Sequence, residues 1–293
     1  MSAPGPDRPI AVFFGHHKCA TSWVDRILLK TAAKLAKTMR IVHTPRDFGP
    51  YASPGELAEA EGVQILAITN AELRWLDELP PFRGFHLIRD PRDLVVSGYF
   101  SHRFSHGDRW PELNRHRAEL ERLDVDEGLF SELDFSGRFI HEMGAWDYGR
   151  DDVLELRLED LVVDEVATMT DALRFLGLVD DGRSFPAGLA TVASLQTNHV
   201  LARAQRSLGP RAGDVPLRRE VDAMPEWFAR RFLARQRFER VSGRHRGHEE
   251  TTSHYRKGVP GDWVNHFTAE HRAEFERRYG DVTRRLGYAD QTP

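Results

Sequence analysis

The sequence predicts an α/β fold, a single domain in which one parallel sheet is flanked by helices. Short apolar runs alternate with stretches whose apolar residues recur every three or four positions, the order of strands and helices in such folds. Short apolar runs are also expected of strands that helices cover on both faces. The 293 residues, 40% of them hydrophobic, suffice for one large core and are few for two. We therefore assign residues 1–293 to one domain.

Five apolar runs are interpreted as strands, at residues 10–14, 40–43, 63–68, 85–88 and 153–156. The first run is followed by Gly15, and a helical pattern begins at about Thr21. Pro91 suits the first turn of another helix, since proline is common at that position. A third helix, at about residues 166–176, is expected to stop at Gly177 because glycine is common just past a helix end.

Residues 209–255 differ in composition from the rest of the chain. This segment is rich in arginine, histidine and glutamate, and Pro210, Pro216 and Pro225 interrupt it. We interpret it as a partly helical, mobile excursion from the same domain.

The overall charge argues against a general polyanion binder. The formal net charge is −4, so no basic field would attract nucleic acid or an anionic membrane, and any anion must be bound by a local cluster. Cys19 is the single cysteine, which excludes an intramolecular disulfide and favours a reducing compartment. The first residues lack the pattern of a signal peptide, so we expect a cytoplasmic protein.

The loop after the first strand has the features of a phosphate-binding loop. It contains small residues and Lys18, and it leads into a helix whose first amides and dipole favour an anion. Thr21 and Ser22 add hydroxyl donors. No serine or threonine adjoins Lys18 to hold magnesium, which disfavours a nucleoside triphosphatase loop. The alternative is an ordinary helix start capped by Thr21 and Ser22.

Two further segments carry cations at positions suited to anions. Arg89 lies where a strand ends and a helix begins, the place where open α/β sheets bind ligands, and Ser97 follows in the second turn of that helix. Arg256 and Lys257 stand beside Gly258 in a later loop. The plain alternatives are that Arg89 pairs with Asp93 while Ser97 is a small packing residue, and that the loop carries a solvated pair of cations.

These three segments resemble the nucleotide-binding signatures of the cytosolic sulfotransferase family, which uses 3′-phosphoadenosine 5′-phosphosulfate (PAPS), and the chain looks like a bacterial branch of it. The family's first loop reads roughly Pro-Lys-Ser-Gly-Thr-Thr-Trp, and residues 17–23 read His-Lys-Cys-Ala-Thr-Ser-Trp. An arginine and a serine eight residues apart match Arg89 and Ser97. Residues 256–268 match the third signature at each fixed position. The family's dimerisation motif is poorly kept at 266–274, which leaves the oligomeric state open.

The resemblance implies a P-loop-like sulfotransferase fold and a set of nucleotide contacts. These are His17, Lys18, Cys19, Ala20, Thr21, Ser22, Trp23, Arg89, Ser97, Arg256, Lys257 and Gly258. The first loop would hold the 5′-phosphosulfate, with Trp23 stacked on the adenine. The other two segments would hold the 3′-phosphate. Residues 9–205 would form the core with both sites, 209–255 the substrate side, and 256–287 a C-terminal clamp and helix.

The activity that the resemblance implies is transfer of a sulfuryl group from PAPS to a hydroxyl or amine of a small molecule. In-line displacement of this kind depends mainly on positioning and charge, and Lys18 would stabilise the leaving nucleotide. Asn70 stands where the family has its catalytic histidine. We therefore predict a base near the end of the second strand, either His43 or Asp47.

Two other functions stay open at this point. A non-catalytic binder of the phosphoadenosine nucleotide would need no base, and a small-molecule kinase would bind ATP with magnesium. His102 and His106 have the i, i+4 spacing of metal ligands but no evident carboxylate or thiolate partners, so we expect no metal.

Overall fold

The computed structural model describes residues 9–107, 110–182, 184–208 and 218–289. Its centre is a five-stranded, wholly parallel sheet in the order β2-β3-β1-β4-β5. The strands are β1 (Ile10–Gly15), β2 (Met39–Val42), β3 (Ile65–Ile68), β4 (Phe82–Ile88) and β5 (Val153–Arg157). The short strands β6 (Val179–Asp180) and β7 (Met224–Pro225) pair separately. The predicted α/β class, parallel sheet and five strands are confirmed, with β4 starting three residues before its predicted first residue, Phe85.

Helices cover both faces of the sheet. They are α1 (Thr21–Leu35), α2 (Pro54–Ala60), α3 (Pro91–Phe104), α4 (Pro111–Leu120), α5 (Val125–Ala145), α6 (Leu158–Val163), α7 (Glu165–Phe175), α8 (Phe185–Leu208), α9 (Glu226–Leu233), α10 (Phe238–Ser242) and α11 (Ala269–Arg285). Among the described residues, no helix combines the length and apolar character needed to cross a bilayer.

The alternation of side chains along β1 explains why the central strands are apolar throughout. Phe13 packs into the core on the α1 side, while Phe14 packs on the opposite face beside Trp146. A third cluster joins α3, α5 and α11. The register places Phe14 opposite both Ile68 and His86, so β1, β3 and β4 end side by side. The loops that follow these strands meet at one edge of the sheet.

The predicted mobile excursion differs from the structure in its later part. Residues 209–217 lie outside the described residues. Helix α9, however, buries Phe228, Phe232 and Leu233 in the α1-side core. Residues 226–233 therefore belong to the packed body of the protein. This amphipathic helix was not predicted, because the proline-rich and charged composition of the segment gave no indication of it. The single-domain assignment itself stays a prediction.

Candidate nucleotide and active site

The loop between β1 and α1 has an unusual backbone. Lys18 and Ala20 adopt positive φ angles of 63° and 55°, which residues other than glycine rarely do. Ala20 immediately precedes α1 and offers no capping side chain, and the first turn carries no acidic residue. The alternative of an ordinary helix start, capped by Thr21 or Ser22, is therefore not observed. The first amides of α1 are available to an anion.

Lys18 lies among other cations. Burial is the main cause that lowers the pKa of Lys18 to about 8, with Arg89 and Arg256 contributing in the same direction and Glu132 opposing them. The three sequence segments thus each place a cation near the same point, since Arg89 and Arg256 are both close enough to lower the pKa of Lys18. Such a cluster is costly on its own and favours a bound anion.

Arg89 joins the second segment to the first loop. Its Nη1 donates to the Lys18 carbonyl oxygen at 3.0 Å, and its Nη2 lies 3.6 Å from Asp93 Oδ2. The side chain is buried, and its Nε–H has no partner among the described residues. The predicted alternative of an Arg89–Asp93 pair is thus present. It still leaves the buried Nε–H of Arg89 as a donor that a ligand oxygen could satisfy.

Asp93 joins the second segment to the third. Its Oδ2 accepts from the backbone N–H of Gly261 at 2.6 Å, and its Oδ1 accepts from that of Trp263 at 2.9 Å. The carboxylate is almost fully buried. The loop that carries Arg256 is therefore fixed against the start of α3, next to Arg89.

The cations of the third segment are held in place by Asp262. Its carboxylate accepts from Arg256 Nη2 at 2.5 Å and from Lys257 Nζ. Burial raises the pKa of Asp262, but hydrogen bonds from these cations, His266 and Asn265 outweigh it and hold the pKa well below its usual range. The Arg256 guanidinium also lies 4.5 Å from the centre of the Phe100 ring. Asp262 thus stays charged and orients two cations.

Ser97 and Gly258 occupy supporting positions. Ser97 is half-buried on α3, one turn before Phe100, so both residues share one helix face. Gly258 has a φ of 70°, and a Cβ there would lie 2.5 Å from the Phe238 ring. Only glycine fits at this point without displacing Phe238.

Trp23 is largely enclosed. Its indole N–H donates to the Gln236 carbonyl oxygen at 2.7 Å, and the side chain belongs to the core between α1 and α9. Only 7% of the residue is exposed. Stacking on adenine stays a prediction, and it requires the exposed rim of this ring or a shift of the Gln236 loop. Cys19, also in the loop, is fully buried, and burial raises its pKa to about 12.

The predicted base residues lie farther along the sheet edge. Asp47 accepts from the backbone N–H groups of His43 and Thr44 at 2.9 and 2.8 Å and caps the short helical turn that follows. His43 is exposed, and its Nδ1 lies 2.7 Å from Thr69 Oγ1. β2 is two strands from β1, roughly 10 Å at the usual strand spacing. The carboxylate of Asp47 is thus occupied by a turn, and His43 is the freer of the two.

Sequence reasoning missed a buried histidine cluster beside Lys18. His17 Nε2 lies 2.7 Å from His102 Nε2, and Glu132 Oε2 lies 2.8 Å from both His102 Nδ1 and His116 Nε2. The ligand-type atoms of His102, His116 and Glu132 lie within 4.8 Å of one another. The carboxylate comes from Glu132 on α5, and the second histidine beside His102 is His116 on α4, not the His106 of the i, i+4 pair. In the described structure hydrogen bonds join these three side chains, and the expectation that no metal binds stays a prediction.

The link through Asp93 leads to a first prediction. Asp93→Ala should lower the free energy of unfolding by about 3 kcal/mol, because it removes a buried charge that pairs with Arg89 and accepts two backbone donors. Urea unfolding measures this loss. Asp281→Ala, at a 98% exposed side chain on α11, is the matched control and should change it by less than about 0.5 kcal/mol. Equal stabilities of the two variants would contradict the role of Asp93.

Comparisons with known proteins support the fold. No family model matches the sequence, and no curated protein matches it. Among solved structures, the mouse sulfotransferase SULT7A1 complexed with PAP superimposes with a TM-score of 0.54 at 14% identity, over 97% of this chain and 90% of that one. Retinol dehydratase, in complex with androsterone and the inactive cofactor PAP, matches at a TM-score of 0.46 and 16% identity, over 96% of this chain and 82% of that one. The first likeness shows that the chain has a sulfotransferase fold.

Proposed function

We propose that this protein is a sulfotransferase that transfers a sulfuryl group from PAPS to a hydroxyl or amine of a small acceptor. One observation carries the proposal: Lys18, Arg89 and Arg256, from three distant segments, converge at one edge of the sheet. The Arg89 bond to the Lys18 carbonyl and the Asp93 bonds to residues 261 and 263 tie the three segments together. The PAP-bound mouse sulfotransferase of the same fold is consistent with it.

The residues fit a nucleotide with two separated anionic groups. The Lys18 loop and the uncapped start of α1 suit a 5′-phosphosulfate. Arg89, Ser97, Arg256, Lys257 and the Gly258 amide suit a 3′-phosphate. The buried Nε–H of Arg89, which has no partner among the described residues, is a donor that such a phosphate would satisfy.

Lys18 would act at the leaving group. PAPS, when bound, supplies an activated sulfuryl group, and charge develops on the oxygen that stays with the nucleotide. A protonated Lys18 amine stabilises that charge in a site where burial strengthens electrostatic interactions. Arg89 donates a hydrogen bond to the backbone carbonyl of Lys18 and thereby fixes the backbone position from which the lysine side chain extends.

Nucleotide preference tests the proposal and separates it from its alternatives. By calorimetry, 3′,5′-bisphosphoadenosine should bind at least a hundredfold more tightly than AMP, about 2.7 kcal/mol. The reason is that only the bisphosphate would engage the second cation cluster, formed by Arg89, Arg256 and Lys257. Tighter binding of ATP with magnesium would instead favour a kinase. A preference for the bisphosphate without any release of PAP from PAPS would favour a non-catalytic binder.

A further inference from the structure

The buried hydrogen bonds beside Lys18 define the tautomer of each histidine. Glu132 is fully buried, and its Oε2 contacts His102 Nδ1 and His116 Nε2 at 2.8 Å each, while its Oε1 accepts from the Ser136 hydroxyl. Burial raises the pKa of Glu132, but His102 and His116 outweigh it and lower the pKa to about 2. An ionised carboxylate only accepts hydrogen bonds, so both histidines donate to it.

The tautomer of His102 determines that of His17. Because the proton of His102 is on Nδ1, its Nε2 carries a lone pair and must accept the 2.7 Å hydrogen bond from His17 Nε2–H. The lone pair of His17 then lies on Nδ1. Among the described residues, the only hydrogen bond of the His17 ring is the one through Nε2, so Nδ1 accepts none from the protein. Glu132, His102 and His17 thus form a hydrogen-bonded chain that ends in the lone pair of His17 Nδ1.

His17 lies next to the residue that would hold the leaving group. It directly precedes Lys18, and its ring stacks 4.6 Å from that of Phe139. The charged or titratable groups that face it are Lys18, His102, His106, His116, Glu132 and Arg138, with His254 beyond His106. Burial, then His102, Lys18 and the other cations, lowers the pKa of His17 well below its usual range. The ring is therefore neutral near pH 7 and retains its lone pair.

We propose that His17, and not His43 or Asp47, accepts the proton of the acceptor, and that His102 and Glu132 position it. The inference rests on the proposed sulfotransferase activity. The acceptor O–H bond breaks as its oxygen bonds to sulfur, and the proton goes to His17 Nδ1. The His17 Nε2 proton passes to His102 Nε2, so the positive charge comes to rest beside the Glu132 carboxylate. Such a carboxylate orients the imidazole and stabilises the imidazolium, as in hydrolase triads.

A second chain of the same kind supplies a control. His16 Nε2 lies 2.8 Å from His86 Nε2, and His86 Nδ1 lies 2.6 Å from Glu155 Oε2. His16 is completely buried, whereas His17 retains 8% exposure. Two adjacent residues thus share one hydrogen-bonding pattern, but of the two only His17 retains any solvent exposure. His16→Gln perturbs the same loop without touching the proposed proton path.

The first test compares acceptors that need a base with one that does not. At pH 8, 2-naphthol keeps its proton while 4-nitrophenol is largely ionised. His17→Gln should lower PAPS-dependent transfer to 2-naphthol by about 10²-fold or more, but transfer to 4-nitrophenol by less than tenfold. Glu132→Gln should give the same pattern with a smaller loss, and His16→Gln should affect both phenols alike.

Every other kinetic outcome overturns the inference. Equal losses in His17→Gln would show that the ring only shapes the loop. An acceptor-dependent loss in His43→Gln or Asp47→Asn alone would restore the base predicted from the sequence. Failure of the wild-type protein to bind 3′,5′-bisphosphoadenosine would instead overturn the proposed function.

The second test needs no acceptor and reads the tautomers directly. In the ¹⁵N-histidine spectrum of the full chain, His17 should be protonated on Nε2 and His102 on Nδ1, with signals assigned from His17→Gln and His102→Gln. Glu132→Gln should shift the His17 tautomer equilibrium, which a merely structural role would not. The opposite tautomers would overturn the chain of protons, as would stoichiometric zinc in the purified protein, because a metal would replace the His102 Nδ1 proton.

Discussion

Lys18→Ala will lower the turnover of PAPS by roughly 10³-fold, the upper range for loss of one preorganised charge at a leaving group. Binding of 3′,5′-bisphosphoadenosine should weaken by less than tenfold, about 1.4 kcal/mol. The difference arises because the α1 amides and the second cation cluster still hold the ground state. Lys18 contributes mainly where new charge develops. Release of PAP, followed at saturating PAPS, measures the first quantity, and calorimetry the second.

The protonation state of Lys18 predicts how the activity depends on pH. Its pKa is lowered to about 8, chiefly by burial, so the charged and active form is lost as the pH rises through that value. The kcat/KM of the wild-type protein for PAPS, which reports the ionisation of the free enzyme, should therefore fall above about pH 8. Lys18→Arg stays charged at higher pH and should lose this limb, although its activity will be lower because the guanidinium is bulkier. An unchanged alkaline limb in that variant would assign the limb to another group.

Arg89→Ala will reduce the preference for nucleotides with a 3′-phosphate by about a hundredfold, or about 2.7 kcal/mol. Binding of 3′,5′-bisphosphoadenosine should weaken strongly and binding of AMP only slightly. The reason is that Arg89 is buried between the Lys18 carbonyl and Asp93 with its Nε–H directed to no protein partner among the described residues. Arg256→Ala should have the same selective effect.

The matched control for this prediction is Arg83→Ala. Arg83 lies on β4 like the residues that lead to Arg89, but it is exposed and rests over Phe175. Calorimetry with both nucleotides should find it unchanged. If Arg89→Ala weakens AMP and the bisphosphate equally, Arg89 does not contact a 3′-phosphate.

The sheet was predictable because its central strands are buried on both faces. Such strands must be short and apolar, and the turn residues around Gly15 and Pro91 delimit them clearly. Helix α9 was missed because its Phe228, Phe232 and Leu233 follow a segment rich in proline and charge. Local composition there masked an amphipathic pattern that only packing against α1 makes evident.

The cations of the site were predictable, and so was a pair between Arg89 and Asp93, whereas the burial of the carboxylates that organise the cations was not. Lys18, Arg89 and Arg256 stand in recognisable loops. Asp93 and Glu132, by contrast, occupy ordinary helical positions, and acidic residues at such positions are usually solvated. Their burial depends on which helix packs against which loop, and a single sequence does not contain that information.

The three cation segments also impose an order of events on the growing chain. Lys18 and Arg89 leave the ribosome well before Arg256 and Gly261, so a partly synthesised chain holds Asp93 without its two amide partners. Until residues 256–263 dock, Lys18 and Arg89 lack Arg256 and Lys257, so on the proposed function we expect the nascent protein to bind nucleotide weakly. Once they dock, bound nucleotide stabilises the docked state by mass action. On the proposed function, a bound phosphoadenosine nucleotide would thus favour the last step of folding and protect the late segment from proteases.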